Sequence, residues 1–329
     1  MSNQAVGFPL FIVGLPRSGT KLLRGLLNQH PAIGLTRVES RLLPYWYKNW
    51  GQFGDLSKKN VFHQFYLNTV GLPYFHIKRL GNDEIISEDH WYESCSSFDV
   101  ASVYEALIKH DVIFGGNVSI WGDKTPAYIS HVNILRELYP NARVLHIVRD
   151  ARDYVLSSQA AWGKNIFRSA QNWQNSLSKL ERDSQKFGSD FLETKFEDIL
   201  IQPESELTRI CHWLGIEFDS EMLTLTAPTE RHGDAKGYKA ILGTNFNKYE
   251  KRLSKGEIRK LESIAHDGLE KYGYETINNS DPIKLSKNAM RYYAMKDGLN
   301  LWFFSIRDEG LVVGTKQILN KYLTSGNRV

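Results

Sequence analysis

Residues 9–21, Pro9-Leu-Phe-Ile-Val-Gly-Leu-Pro-Arg-Ser-Gly-Thr-Lys21, carry an apolar run straight into a glycine-bounded turn and a helix start. A strand that delivers its turn to a helix N-terminus gathers backbone N–H groups around one point, which suits a phosphate-like anion. The spacing from Gly14 to Gly19 matches the phosphate-loop pattern G-x-x-x-x-G-K-[ST]. The next two residues, Thr20 and Lys21, stand in the reverse of the order that pattern requires. In nucleoside-triphosphate loops the lysine reaches the outer phosphates and the following hydroxyl holds Mg²⁺. Inverting the pair removes the metal position and keeps the amide cradle, so the stretch predicts an anion site that points away from ATP.

Outward from this stretch, the pattern predicts a strand over 8–14, a turn at 15–18 and a helix over about 19–30, with Leu22, Leu23, Leu26 and Leu27 at helical spacing. His30-Pro31 closes that helix. A short strand follows near 33–36. The segment from Leu42 to Phe75 reads as helical and is dense in aromatics, among them Trp46, Trp50, Phe62 and Phe65. Such density predicts core, with a wall of an acceptor pocket as the other reading. A second unit centres on Ser119-Ile-Trp-Gly-Asp-Lys-Thr-Pro126, with a helix over about 127–139. The third is Ala142-Arg-Val-Leu-His-Ile-Val148, a buried parallel strand by its continuous apolar character, and a helix over about 150–162. Another strand near 190–196 leads to helices around 203–214 and 255–272. Alternating strands and helices predict an α/β fold: a doubly wound parallel sheet with helices on both faces, helical insertions, and ligands at the carboxyl ends of the strands. Residues 1–275 form this domain, and 276–329 read as a helical extension packed on it.

The 329 residues fit one large α/β domain. With 41 Lys+Arg against 37 Asp+Glu, the positive balance is too mild for a nucleic-acid partner. Cys95 and Cys211 are the only cysteines and stand outside any C-x-x-C pattern, which supports neither a disulfide framework nor a zinc site. No basic region precedes the first apolar run, and no stretch approaches the roughly 20 apolar residues of a membrane span. A cytoplasmic protein without a membrane anchor is the expectation. The oligomeric state stays open, a homodimer included.

At Arg149 a cation leaves the carboxyl end of a buried strand, and a hydroxyl, Ser157, follows eight residues later. Both could grip one terminal phosphate. Taken alone, Arg149, Asp150, Arg152 and Asp153 read equally as a solvated charge run capping a helix. Beside the loop at 14–21, they suggest a nucleotide with phosphate groups at two separated positions.

In these residues the chain resembles the sulfotransferases that use 3′-phosphoadenylyl sulfate (PAPS). Its motifs stand nearest the branch that includes the tyrosylprotein sulfotransferases: Gly-Leu-Pro-Arg-Ser-Gly-Thr20, Glu39-Ser-Arg-Leu-Leu-Pro44, Asp123-Lys-Thr-Pro126 and Val148-Arg-Asp-Ala-Arg152 occur in the same order. The resemblance covers roughly residues 8–272. It implies a P-loop-related α/β fold, PAPS as co-substrate, the bisphosphate PAP as product and no metal. It implies that Pro16, Arg17, Ser18, Gly19, Thr20 and Lys21 bind the 5′-phosphosulfate, and that Arg149 and Ser157 bind the 3′-phosphate. Phe196 stands where a tyrosine commonly meets the adenine, so stacking survives without the hydroxyl. Lys239 and Lys248 lie where a late loop closes over the nucleotide.

Sulfuryl transfer in line between two oxygens develops negative charge on the bridging oxygen, and fixed cations there lower the barrier. The sulfuryl group carries less charge than a phosphoryl group, so Arg or Lys can do what Mg²⁺ does in kinases. The resemblance gives that role to Arg17 and Lys124, and gives Glu39 the acceptor's proton. Glu39 also reads as a plain first-turn carboxylate; His90 and His131 are backup bases. Gly233 stands roughly where the tyrosylprotein branch has a catalytic serine. The expected activity is sulfation of a hydroxyl, less readily an amine, of a small-molecule acceptor. A glycan or protein tyrosine is an alternative acceptor, and a P-loop kinase or a non-catalytic nucleotide-binding module is an alternative class.

Overall fold

The structure is a computed structural model describing residues 7–112, 118–229, 236–277 and 281–309, with side chains through residue 302. Five strands, β1 Phe8–Gly14, β2 Ile33–Leu35, β3 Ile120–Lys124, β4 Arg143–Val148 and β5 Phe191–Lys195, form one sheet in the order β2-β3-β1-β4-β5. Every pairing is parallel. The central strand is apolar on both faces because both are covered. Leu10 and Ile12 face one core layer with Leu23 and Leu26, and Phe11 and Val13 face another with Trp46 and Tyr104.

Helices α1 Thr20–Leu27, α2 Leu43–Asn49, α3 Lys59–Val70, α4 Pro73–Leu80, α5 Glu88–Ser94, α6 Val100–Val112 and α7 Val132–Leu138 follow in chain order. They continue as α8 Ala151–Trp162, α9 Ile166–Ser184, α10 Phe196–Ile201, α11 Pro203–Leu214, α12 Tyr249–Arg252, α13 Lys255–Ile264, α14 His266–Lys271 and α15 Lys287–Glu309. The expected α/β architecture with a parallel sheet and helices on both faces is what the structure shows.

The segment 42–75 forms three helices and a 3₁₀ turn. Trp46, Phe62 and Phe75 are wholly buried, as the core reading predicts, while Tyr45 and Tyr47 face solvent. Two predicted helices are each divided. Residues 127–139 comprise a 3₁₀ turn over Pro126–Ser130 and then α7, because Pro126 permits only a tight entry. Residues 255–272 break at Ala265, where Gly268 must come so near Trp173 that a Cβ there would sit 2.3 Å from its ring. Helix α9, unassigned from sequence, packs on α8 and α13. The described part of the C-terminal extension lies against the same helices: Asp297 accepts from the Asn165 N–H at 2.7 Å and from Arg168 at 2.6 Å.

In this strand order, the connection leaving β1 runs toward β2, and the one leaving β4 runs toward β5. The crevice between β1 and β4 is therefore the switch point at which open parallel sheets bind ligands.

Candidate active site

The turn after β1 passes through two residues in the left-handed region, Arg17 (φ 81°) and Gly19 (φ 93°). For arginine that conformation costs on the order of 1–2 kcal/mol. It persists because the turn is fixed at both ends, by the Ser18 N–H to the Leu15 carbonyl and by the Leu23 N–H to that of Gly19. Ser18 and Thr20 are buried beneath the turn, Lys21 is half-buried and Pro16 is exposed. Gly19 caps α1 without a side chain, so the first-turn amides are left for an anion. A Cβ on Gly19 would lie 2.2 Å from the Phe196 ring, which fills the place a side chain would take.

Arg149, at the end of β4, reaches into the crevice. Its guanidinium donates to the Arg17 carbonyl at 3.2 Å and to the Asn245 carbonyl at 3.1 Å, and lies over the Phe196 ring at 4.6 Å. Its Nε–H is buried without an acceptor among the described residues. Burial depresses its pKa, with Asp153 and Glu197 opposing. The Arg17 Nε–H donates to Ser157 Oγ at 3.1 Å. Arg17, Gly19, Arg149, Ser157, Phe196 and Lys248 line one cleft together. Lys239 is exposed and outside its lining, and Gly233 lies outside the described residues.

The R-D-x-R-D run is not solvated: all four charged residues are buried. Asp150 caps α8 by accepting the Arg152 N–H at 2.8 Å, and Arg152 bridges Asp150 and Glu262. Asp153 Oδ1 accepts the Lys248 and Tyr249 amides at 2.9 and 3.1 Å. Asp153 therefore fastens the late loop to α8, and the capping reading holds for Asp150 alone.

On the other side of β1, Lys124 Nζ donates to Glu39 Oε1 at 2.8 Å, and Arg41 binds Oε2 at 2.5 Å. Burial pushes the Glu39 carboxyl up, but Lys124 and Arg41 outweigh it and the net shift is downward. Burial lowers the Lys124 ammonium, with Glu39 opposing. Glu39 is in a loop, not the first turn of a helix as the alternative reading had it. The pair lies outside the lining of that cleft. His90 packs on the His110 ring at 5.4 Å and His131 sits between the 3₁₀ turn and α7; neither lines the cleft. Sequence reasoning missed Asn245, whose contribution is a backbone carbonyl on a loop without a motif.

A parallel sheet with a glycine-bounded turn and a buried arginine at its switch point is the architecture of phosphate-loop-related α/β proteins. The pattern of the Sulfotransferase family matches residues 9–220, and the chain belongs to that family. Protein-tyrosine sulfotransferase A of Caenorhabditis elegans is 26% identical over 228 residues, 65% of this chain and 51% of that protein. Protein-tyrosine sulfotransferase 2 of Gallus gallus is 24% identical over 225 residues, 65% of this chain and 53% of the relative. The chain thus spans about half the length of these curated relatives. Among solved structures, the sulfotransferase domain of the curacin biosynthetic pathway aligns with a TM-score of 0.53 at 18% identity, over 82% of this chain and 99% of that domain. The sulfotransferase domain of the Synechococcus olefin synthase aligns with a TM-score of 0.50 at 22% identity, over 80% and 97%. Both likenesses concern the fold.

Proposed function

We propose that the protein transfers the sulfuryl group of PAPS to a hydroxyl, less readily an amine, of a small-molecule acceptor. The observation that carries this reading is the convergence of Arg17, Arg149 and Ser157 on one cleft, with a buried Arg149 N–H still lacking an acceptor among the described residues. Such a site suits a phosphorylated anion, and the reading given to it is a nucleotide bearing 3′- and 5′-phosphate groups. When bound, PAPS supplies the activated sulfuryl group. Arg149 and Ser157 hold the 3′-phosphate, and the amides of the β1 turn hold the 5′ end. Arg17 and Lys124 place fixed positive charge where the bridging oxygen gains its electron pair as the S–O bond breaks. Glu39, kept ionised by Lys124 and Arg41, accepts the acceptor's proton as the new S–O bond forms.

A second reading, sulfation of tyrosine in a polypeptide, is supported by the names of the curated relatives. No described helix is long and apolar enough to cross a membrane. The test is an acceptor screen with PAPS as donor, including phenols, alcohols, amines, glycans and tyrosine peptides, following release of PAP. Turnover without divalent metal is the expected outcome, and Glu39→Ala and Lys124→Ala should each lose at least about 100-fold in kcat while PAP binding persists. Transfer from ATP that requires Mg²⁺, or an absence of turnover with every acceptor, would sink the proposal.

A further inference from the structure

Asp123 is wholly buried, one residue before Lys124 at the end of β3. Its carboxylate accepts four hydroxyl protons. Thr36 donates to Oδ1 at 2.7 Å, and Ser40, Tyr104 and Thr125 donate to Oδ2 at 2.6, 2.8 and 2.8 Å. Ser40, its own proton spent, accepts from the Tyr128 hydroxyl at 2.8 Å, and the Tyr128 oxygen accepts the Leu43 N–H at 3.2 Å. Each proton in the cluster thus leads toward one acceptor-only group. An amide at that place would bring two donors into a ring of hydroxyls that are already donating.

The cluster fixes the chain at residues 36, 40 and 43. Glu39 lies between these anchors, in a stretch with neither helix nor strand, and meets Lys124 from there. A single buried carboxylate therefore pins both the loop that bears Glu39 and the strand end that bears Lys124. Resting on the roles given to Glu39 and Lys124 above, we propose that Asp123 is a positioning residue of the reaction: through Thr36 and Ser40 it holds the Glu39 carboxylate within hydrogen-bonding distance of Lys124. Thr36, Ser40, Tyr104 and Tyr128 are its instruments and touch no reactant.

The groups that face Glu39 are Lys124 and Arg41 by contact and Arg24 through space, so its titration reports that geometry. The experiment is a ¹³C NMR titration of the Glu39 carboxyl in the full chain, comparing wild type with Ser40→Ala and Thr36→Val, and with Asp123→Asn where that variant folds. Turnover of PAPS with 4-nitrophenol as the acceptor probe and PAP affinity are measured alongside. In Ser40→Ala and Thr36→Val the Glu39 midpoint should rise toward the ordinary carboxylate range. Turnover should fall about tenfold or more while PAP affinity stays within about twofold, and Ser40→Ala should cost nothing further in a Glu39→Gln background. A Glu39 midpoint that does not move, even in a variant whose melting temperature falls, would overturn the positioning role. If instead Glu39→Gln keeps wild-type turnover, the base assignment fails, while the titration still decides whether Asp123 sets the loop.

Discussion

Arg149 shows how much one side chain is asked to do. Its planar guanidinium serves two carbonyls and one aromatic face at once, in directions that an ammonium cannot match. Arg149→Lys should therefore weaken PAP binding by about tenfold or more, read by calorimetry, even though the charge is kept. Gly19→Ala is expected to be more damaging. It combines a left-handed φ with overlap on the Phe196 ring, and should cost at least about 2 kcal/mol of stability and most of the thermal shift that PAP induces. The positions of Gly19, Arg149 and Ser157 were legible because each is placed by local rules: a turn glycine, a strand end, a helix face. The partners of Arg149 were not. The Asn245 carbonyl is a backbone group on a loop without regular pattern, and nothing in residue type marks which carbonyl a buried arginine will find.

At the scale of elements, β1 and β4 were read nearly to the residue, since a parallel strand buried on both faces leaves an uninterrupted apolar run. Helix α9 was missed although its signal is present: Ile166, Ala170, Trp173, Leu177 and Leu180 recur at helical spacing and are all buried. The abundance of Ser, Gln and Asn between them hides the stripe from a reading that looks for hydrophobic density. The break at Ala265 was illegible because neither glycine nor proline stands at 264–266 to mark it. Helix α13 carries its own start signal, a capping box in which Ser254 and Glu257 exchange hydrogen bonds. Ser254→Ala should cost about 1 kcal/mol in chemical denaturation. It should leave turnover unchanged, because the cap faces solvent and touches no part of the cleft.

Across the whole molecule, acid sensitivity has an identifiable seat away from the cleft. Burial pushes the Glu193 carboxyl up, but hydrogen bonding and charge from His146, with help from Tyr272 and Lys271, pull it down to about 2. A carboxyl whose folded value is depressed contributes stability above its unfolded value near 4.5, and loses that contribution as pH falls toward 2. Because its side chain is 29% exposed, the contribution is discounted for solvent screening to about 2 kcal/mol. Glu193→Gln should flatten the fall in unfolding free energy between pH 4.5 and 2, followed by urea titrations at each pH.

The bonds of Arg149 also set an order of assembly. They join the end of β4 to a turn 132 residues earlier and to a loop 96 residues later. While the chain is being made, the strand and the turn can meet long before residue 245 exists, and until then the guanidinium lacks one of its two carbonyl acceptors. The cleft lined by Arg17 and Arg149 is consequently among the last parts to close, a long-range contact that folding reaches late.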